Sequence, residues 1–110
     1  MQYYPDNFVL LKIMLPEETI YKVLGGWSGG YLDGDHWRMN SGIVDYSIEG
    51  NKITFKGDSG SEYIVHRENE RVSGLTSCIL ADLLATYSES VQQISLKDFE
   101  KEFTLGYDKG

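Results

Sequence analysis

The stretch IVDYSIEGNKITFKGDSGSEYIVHR, residues 43–67, decides the fold. It alternates with a period of two: Val44, Tyr46 and Ile48 share one parity, and Ile43, Asp45 and Ser47 the other. Gly50-Asn51 closes a hairpin to Ile53, Thr54 and Phe55. Gly57-Asp58-Ser59-Gly60 is a second turn. It leads into residues 62–67, where Tyr63 and Val65 face one way and Ile64 and His66 the other. Three strands with short loops make a meander, because sequential neighbours usually pair.

Upstream, Val9, Leu11, Ile13 and Leu15 alternate against Phe8, Leu10 and Met14. Both parities are apolar, so a strand covered on both sides is preferred to a short buried helix. Pro16 breaks the ladder, and residues 19–24 supply a second strand. Gly25, Gly26, Gly29, Gly30 and Gly34 follow, with Trp27, Tyr31 and Trp37 between or just beyond them. Such density costs backbone entropy, so the chain must turn sharply there or pack closely under aromatic rings. Residues 36–39 make a short strand, and Asn40-Ser41-Gly42 a turn. The first six residues, with Pro5-Asp6, are a loose terminus.

Downstream, the period changes toward 3.6. Leu75, Ile79, Leu83 and Tyr87 form one stripe, widened by Leu80, Leu84 and Val91. The stripe predicts a helix over 76–91, with Thr76 as N-cap and Gly74 as the hinge before it. Ser95-Leu96-Lys97-Asp98 has the pattern of a capping box, and Leu96, Phe99 and Phe103 recur on one face of a helix over 96–103. The expected architecture is α+β. An antiparallel sheet of four to six strands spans residues 8–67, the long helix packs on one face, and the short C-terminal helix closes an edge or end. No repeat or low-complexity linker divides residues 1–110, so one domain is expected.

Composition narrows the function classes. The chain has 110 residues, 41% of them hydrophobic, enough for one core. A single cysteine, Cys78, excludes an internal disulfide framework. No positively charged start precedes an apolar run, and no apolar stretch approaches about 18 residues. A cytoplasmic protein without membrane contact is the expectation. Seventeen acidic against 10 basic residues give a formal charge of −7, which disfavours nucleic-acid phosphates.

Motifs for chemistry are sparse. Neither G-x-G-x-x-G nor a P-loop occurs, and no G-x-S-x-G elbow surrounds the serines. Asp33, Asp35 and His36 could offer metal ligands, but Asp33-Gly34-Asp35 is also an ordinary exposed turn. His36, His66 and Cys78 fall one ligand short of a closed zinc site and lack its spacing. Cys78 with His66 could form a nucleophile–base pair, against the commoner state of a cysteine buried among Leu75, Ile79 and Leu80. Asp45 and Glu62 offer paired carboxylates without an evident cleft. No cofactor, metal or catalytic residue is assigned, and the chain is expected not to be an enzyme.

The remaining signal is the glycine–aromatic stretch together with the acid excess. Tryptophan and tyrosine provide rigid contact area, and a concentrated negative field speeds encounter with a basic protein. Trp27, Tyr31, Asp33, Asp35, His36 and Trp37 are therefore the expected partner-binding residues. The leading reading is a non-catalytic protein-binding module, an acidic inhibitor or immunity-type protein acting on a basic partner. The alternatives are a small-molecule or metal-binding accessory domain and a structural homo-oligomer subunit, the latter self-pairing through an uncovered strand edge. Residues 37–43, Trp37-Arg38-Met39-Asn40-Ser41-Gly42-Ile43, preceded by residues 25–31, resemble segments of small uncharacterised bacterial or phage-borne proteins. The resemblance covers about a fifth of the chain. It implies a bacterial accessory or mobile-element origin and brings no activity.

Overall fold

A computed structural model describes residues 1–28 and 36–108, with side chains through residue 103. In chain order the described elements are β1 (Gln2–Tyr3), β2 (Asn7–Met14), β3 (Thr19–Trp27), β4 (His36–Met39) and β5 (Ile43–Glu49). Then follow β6 (Lys52–Gly57), β7 (Glu62–His66), a 3-10 turn (Arg67–Asn69), α1 (Gly74–Thr86), β8 (Val91–Ile94) and α2 (Leu96–Asp108).

The fold is α+β, but its strands divide into two four-stranded sheets, ordered β1-β7-β6-β5 and β4-β3-β2-β8. The β5–β6–β7 meander is the one its alternation predicts: Tyr46 pairs with Phe55 and Phe55 with Tyr63. Gly50 takes φ +63 at the first centre of the hairpin loop, the backbone sign that position needs in a twist-matched turn.

The two apolar parities of β2 explain the layering. Phe8 and Leu10 join Val23, Ile43, Ile53, Phe55, Tyr63, Val65, Ile94, Leu96 and Phe99 in a core between the sheets. Val9 and Leu11 point the other way, joining Leu24, Leu80 and Val91 under α1. The expectation that β2 is covered on both sides therefore holds. One cover is the second sheet and the other is the helix. The outer face of the β5–β7 sheet is wet, with Asp45 paired to Lys56 and Glu49 to Lys52 across strands.

Four local expectations change. Residues 2–3 are not loose but form β1, parallel to β7, and the Glu62 amide donates to the Met1 carbonyl at 2.9 Å. The first helix ends at Thr86 rather than 91, where the Tyr87 amide closes back on the Leu83 carbonyl at 2.9 Å. Val91–Ile94 instead becomes β8, because the free side of β2 offers a ladder from Leu10 to Ile13. The cap of α1 is Ser73, not Thr76. Ser73 Oγ accepts from the Thr76 amide at 3.2 Å, and the Ser73 amide donates to Thr76 Oγ1 at 2.7 Å.

At α2 one half of the expected capping box is in place: the Asp98 amide donates to Ser95 Oγ at 3.1 Å. Glu70 adds a second acceptor at that helix start, taking the Leu96 amide at 2.7 Å. The helix continues to Asp108, beyond the predicted 103.

Candidate functional site

The Gly25-Gly26 pair lets neighbouring segments pack directly on the end of β3. A Cβ on Gly25 would stand 2.8 Å from Pro5 Cγ. A Cβ on Gly26 would stand 2.6 Å from Asn7 Oδ1 and 2.7 Å from Thr76 Cγ2. β3 is therefore gripped from both faces at adjacent residues, by the turn before β2 and by the first turn of α1. The closest neighbours are Pro5, Asn7 and Thr76, and the Trp27 ring, of the kind expected from the sequence, stands 3.7 Å from a Cβ on Gly25. The grip carries the end of β3 toward β1, the edge strand of the other sheet.

A groove of about 430 Å³ opens between β1 and β4, lined by Gln2, Tyr3, Tyr4, Trp27, His36, Trp37 and Arg38. That volume lies within the range of ligand-binding clefts. Its floor is a run of rings. Buried Tyr63 meets Tyr3 at 5.0 Å between centroids, and Tyr3 meets Trp27 edge-on at 6.4 Å. Trp27 stacks with His36 at 5.1 Å and 6° between planes. The Arg38 guanidinium lies 4.6 Å above the Tyr3 ring, a cation–π contact. Burial pushes the Tyr63 phenol upward, and the charge of Arg38 pulls against that shift.

Strand alternation sorts these side chains. His36 pairs with Trp27 and Arg38 with Gly25, so both share the face toward β1. Trp37 and Met39 take the opposite face, where Met39 packs into the core beneath α1. Trp27 and Trp37, read together from the sequence, thus sit on opposite faces of their sheet. Trp37 is 41% exposed and Tyr4 60% exposed, while Trp27 is half-buried. Asn40 anchors the end of β4: its amide donates to the Val23 carbonyl at 3.1 Å, and its Oδ1 accepts from the Val23 amide at 2.8 Å.

Of the expected partner-binding residues, Trp27, His36 and Trp37 gather at the groove, while Tyr31, Asp33 and Asp35 lie outside the described residues. Sequence reasoning missed Gln2, Tyr3 and Tyr4. It quoted Arg38 only within a motif. The paired tyrosines at residues 3–4 were the available signal. Their position depends on the parallel β1–β7 pairing, which no local pattern encodes.

The other candidates do not converge. Among the described residues no group of three or more His, Cys, Asp or Glu is placed to hold a metal. Cys78 is exposed on α1, and His66 is exposed at the end of β7. Asp45 and Glu62 stand on β5 and β7, separated by β6. A smaller cleft of about 240 Å³ lies between Glu18, Ile20, Gly42 and Asp58. One buried-edge cluster is structural: Lys12 Nζ lies 2.6 Å from Glu102 Oε1, which also accepts from the Tyr21 hydroxyl at 3.1 Å. Burial, then the hydrogen bond and charge of Glu102, push the Tyr21 phenol up to about 12. The Lys12 hydrogen bond holds Glu102 below the usual carboxylate range, against the opposing effect of burial. The cluster clasps α2 to β2 and β3.

No helix among the described residues is long and apolar enough to cross a membrane. Compared with known protein families, curated proteins and solved structures, the chain matches none of them.

Proposed function

We propose that this protein is a non-catalytic protein-binding module whose contact surface is the β1–β4 groove. The observation that carries the reading is the concentration of accessible rings there. Tyr4 is exposed at a seam already floored by Tyr3, Trp27 and His36, and Trp37 is exposed on the other face of the same edge strand. Aromatic and arginine side chains anchor protein interfaces because they bury large area at low conformational cost. The expected basic partner finds no support at this surface, since among the described residues the ionisable groups lining the groove are His36, Arg38 and two tyrosines. The acid excess contributes a long-range field, not the local contact.

The test is capture from a bacterial lysate, identification by mass spectrometry, and titration of the purified partner. Wild type, Tyr4→Ser, Trp37→Ser and the distant Lys97→Ala are compared. The reading requires binding that Lys97→Ala keeps and either groove variant weakens by about tenfold, some 1.4 kcal/mol. A partner that binds all four proteins equally overturns it. A second reading, a small-ligand domain, draws on the groove volume alone. A thermal-shift panel of divalent metals and nucleotides discriminates it, and a saturable shift lost in Trp27→Ala would favour it.

A further inference from the structure

The groove is bounded by a strand edge with a defined polarity. The Asn40 amide points at β3. Antiparallel ladders alternate, so the amides of Arg38 and His36 also turn inward, and those of Trp37 and Met39 turn outward. β4 ends its sheet, and among the described residues nothing pairs with that outer side. An arriving strand would find backbone donors and acceptors at Trp37 and Met39. Side chains of one parity would face Arg38, His36 and Tyr3, and those of the other parity Trp37 and the α1 side.

Charge decides the occupant. The groove face of β4 carries Arg38 and His36 with no carboxylate among the described residues lining it, in a chain whose formal charge is −7. A second copy pairing through β4 about a two-fold axis at Trp37 would set Arg38 opposite His36. His36 offers Arg38 no counter-charge there, so the guanidinium gains no partner across strands. A single-stranded nucleic acid would suit the rings but would meet the net negative field. We infer that the groove accepts an extended acidic segment of a partner protein, added as a fifth strand to β4, with carboxylates toward Arg38 and His36 and apolar side chains toward Trp37. Main-chain bonds hold such a segment and the alternating side chains select it. The inference rests on the contact reading proposed above and gives the chemistry of what enters.

The probe is a fluorescently labelled octapeptide alternating valine with glutamate, titrated by anisotropy. Its lysine counterpart and an oligothymidylate are the comparisons. The glutamate peptide should bind saturably and at least about tenfold more tightly than the lysine peptide at about 0.1 M salt, where the long-range field is screened beyond about 10 Å. Arg38→Glu should reverse that order. Trp37→Pro should bind more weakly than Trp37→Ala, because both lose the ring and only proline loses the outward amide. Circular dichroism verifies folding of each variant, and His36→Glu serves in place of Arg38→Glu if that variant unfolds. Equal affinity for both peptides, equal effects of Trp37→Pro and Trp37→Ala, or tighter binding of the oligothymidylate overturns the inference. If groove-dependent capture of a protein succeeds while the glutamate peptide fails, strand addition falls and the contact reading stands. If both fail, the contact reading falls as well.

Discussion

Phe99→Ala should remove the closure of the inter-sheet core. Phe99 is fully buried in the first turn of α2. Its ring centroid lies 5.4 Å from Tyr21, 5.2 Å from Tyr46, 5.6 Å from Phe55 and 5.1 Å from Phe103. These partners come from β3, β5, β6 and α2, so one ring ties both sheets to the helix. Truncating a buried phenylalanine to alanine costs about 3–5 kcal/mol, which combines lost transfer energy with an incompletely collapsed cavity. The four ring pairs would each add about 0.5–1.5 kcal/mol in isolation, but they share one side chain and are not summed. With a urea slope of about 1–3 kcal/mol/M, the midpoint should fall by roughly 1–5 M. Total stability is only about 5–15 kcal/mol, so the variant sits near the limit of folding. Phe99→Leu keeps most of the volume and should cost about 1–2 kcal/mol, giving a folded variant to measure. Urea unfolding followed by far-UV circular dichroism is the assay, with exposed Lys97→Ala as the control within about 0.5 kcal/mol. A loss below about 1 kcal/mol for Phe99→Ala would mean that α2 does not close this core, and the argument would fail.

Gly26→Ala should destabilise by about 1–3 kcal/mol, because its new methyl meets Asn7 and Thr76, themselves 4% and 1% exposed and unable to swing away. Gly74→Ala, with nothing within 4 Å of the added Cβ, should be neutral or mildly stabilising in the same thermal melt. Ser73→Ala should cost about 1 kcal/mol because the Thr76 amide loses its Oγ acceptor while the residue-73 amide still donates to Thr76 Oγ1; Thr76 was the residue expected to cap from sequence. The clasp predicts opposite pH limbs. Glu102 has a depressed folded pKa, so its contribution is present above the unfolded carboxylate range and is lost as pH falls through the folded value. Tyr21 is raised from 10.0 to about 12, so its contribution is present below pH 10 and is lost as pH rises through about 12. Glu102→Gln should flatten the acid limb and Tyr21→Phe the alkaline limb of urea midpoints measured against pH. Limbs unchanged from wild type would refute the clasp.

The meander was legible because its alternation is local and its turns carry glycine where positive φ is needed, as at Gly50 and Gly60. β2 was legible for a different reason: apolar residues on both parities demand two covers, and Val9 and Leu10 indeed face different ones. That pattern states the number of covers without naming them, so a single sheet was expected where two occur. Val91–Ile94 is too short to declare itself. Its buried residues, Val91 and Ile94, lie three apart and serve opposite faces, a spacing that also continues a helical stripe. The site was half legible. Trp27, His36 and Trp37 stand near one another in sequence, whereas Tyr3 reaches Arg38 only after β1 joins β7, some 60 residues away.

The edges of the two sheets are not equivalent, and the difference supports the placement of the site. β5 is interrupted by a register shift between Ile43 and Asp45 and carries Asp45 and Glu49, the usual means of discouraging further pairing. β8 is four residues long, with exposed polar Gln92 and Gln93 between its buried ends. β4 is equally short, and its groove face carries Arg38 beside His36, which gives the guanidinium of a second copy no counter-charge. Yet rings surround it, which is the opposite of blunting: Trp37 and Tyr4 remain exposed beside it, and Tyr3 and Trp27 line the adjoining cleft. An edge whose charge finds no partner in its own kind while its neighbours offer apolar area is selective rather than closed. Its selectivity is for the opposite sign, and the net acidity of the chain raises the demand on that local contact. An acidic strand must gain enough from Arg38, His36 and the rings to offset the repulsion of the whole surface, so its binding should strengthen as salt screens the long-range field over distances beyond about 10 Å and weaken once the local pairs are screened in turn. A maximum in affinity at intermediate salt is therefore the signature of this division between field and contact, and a monotonic decline from the lowest salt would mean that the local cations dominate throughout.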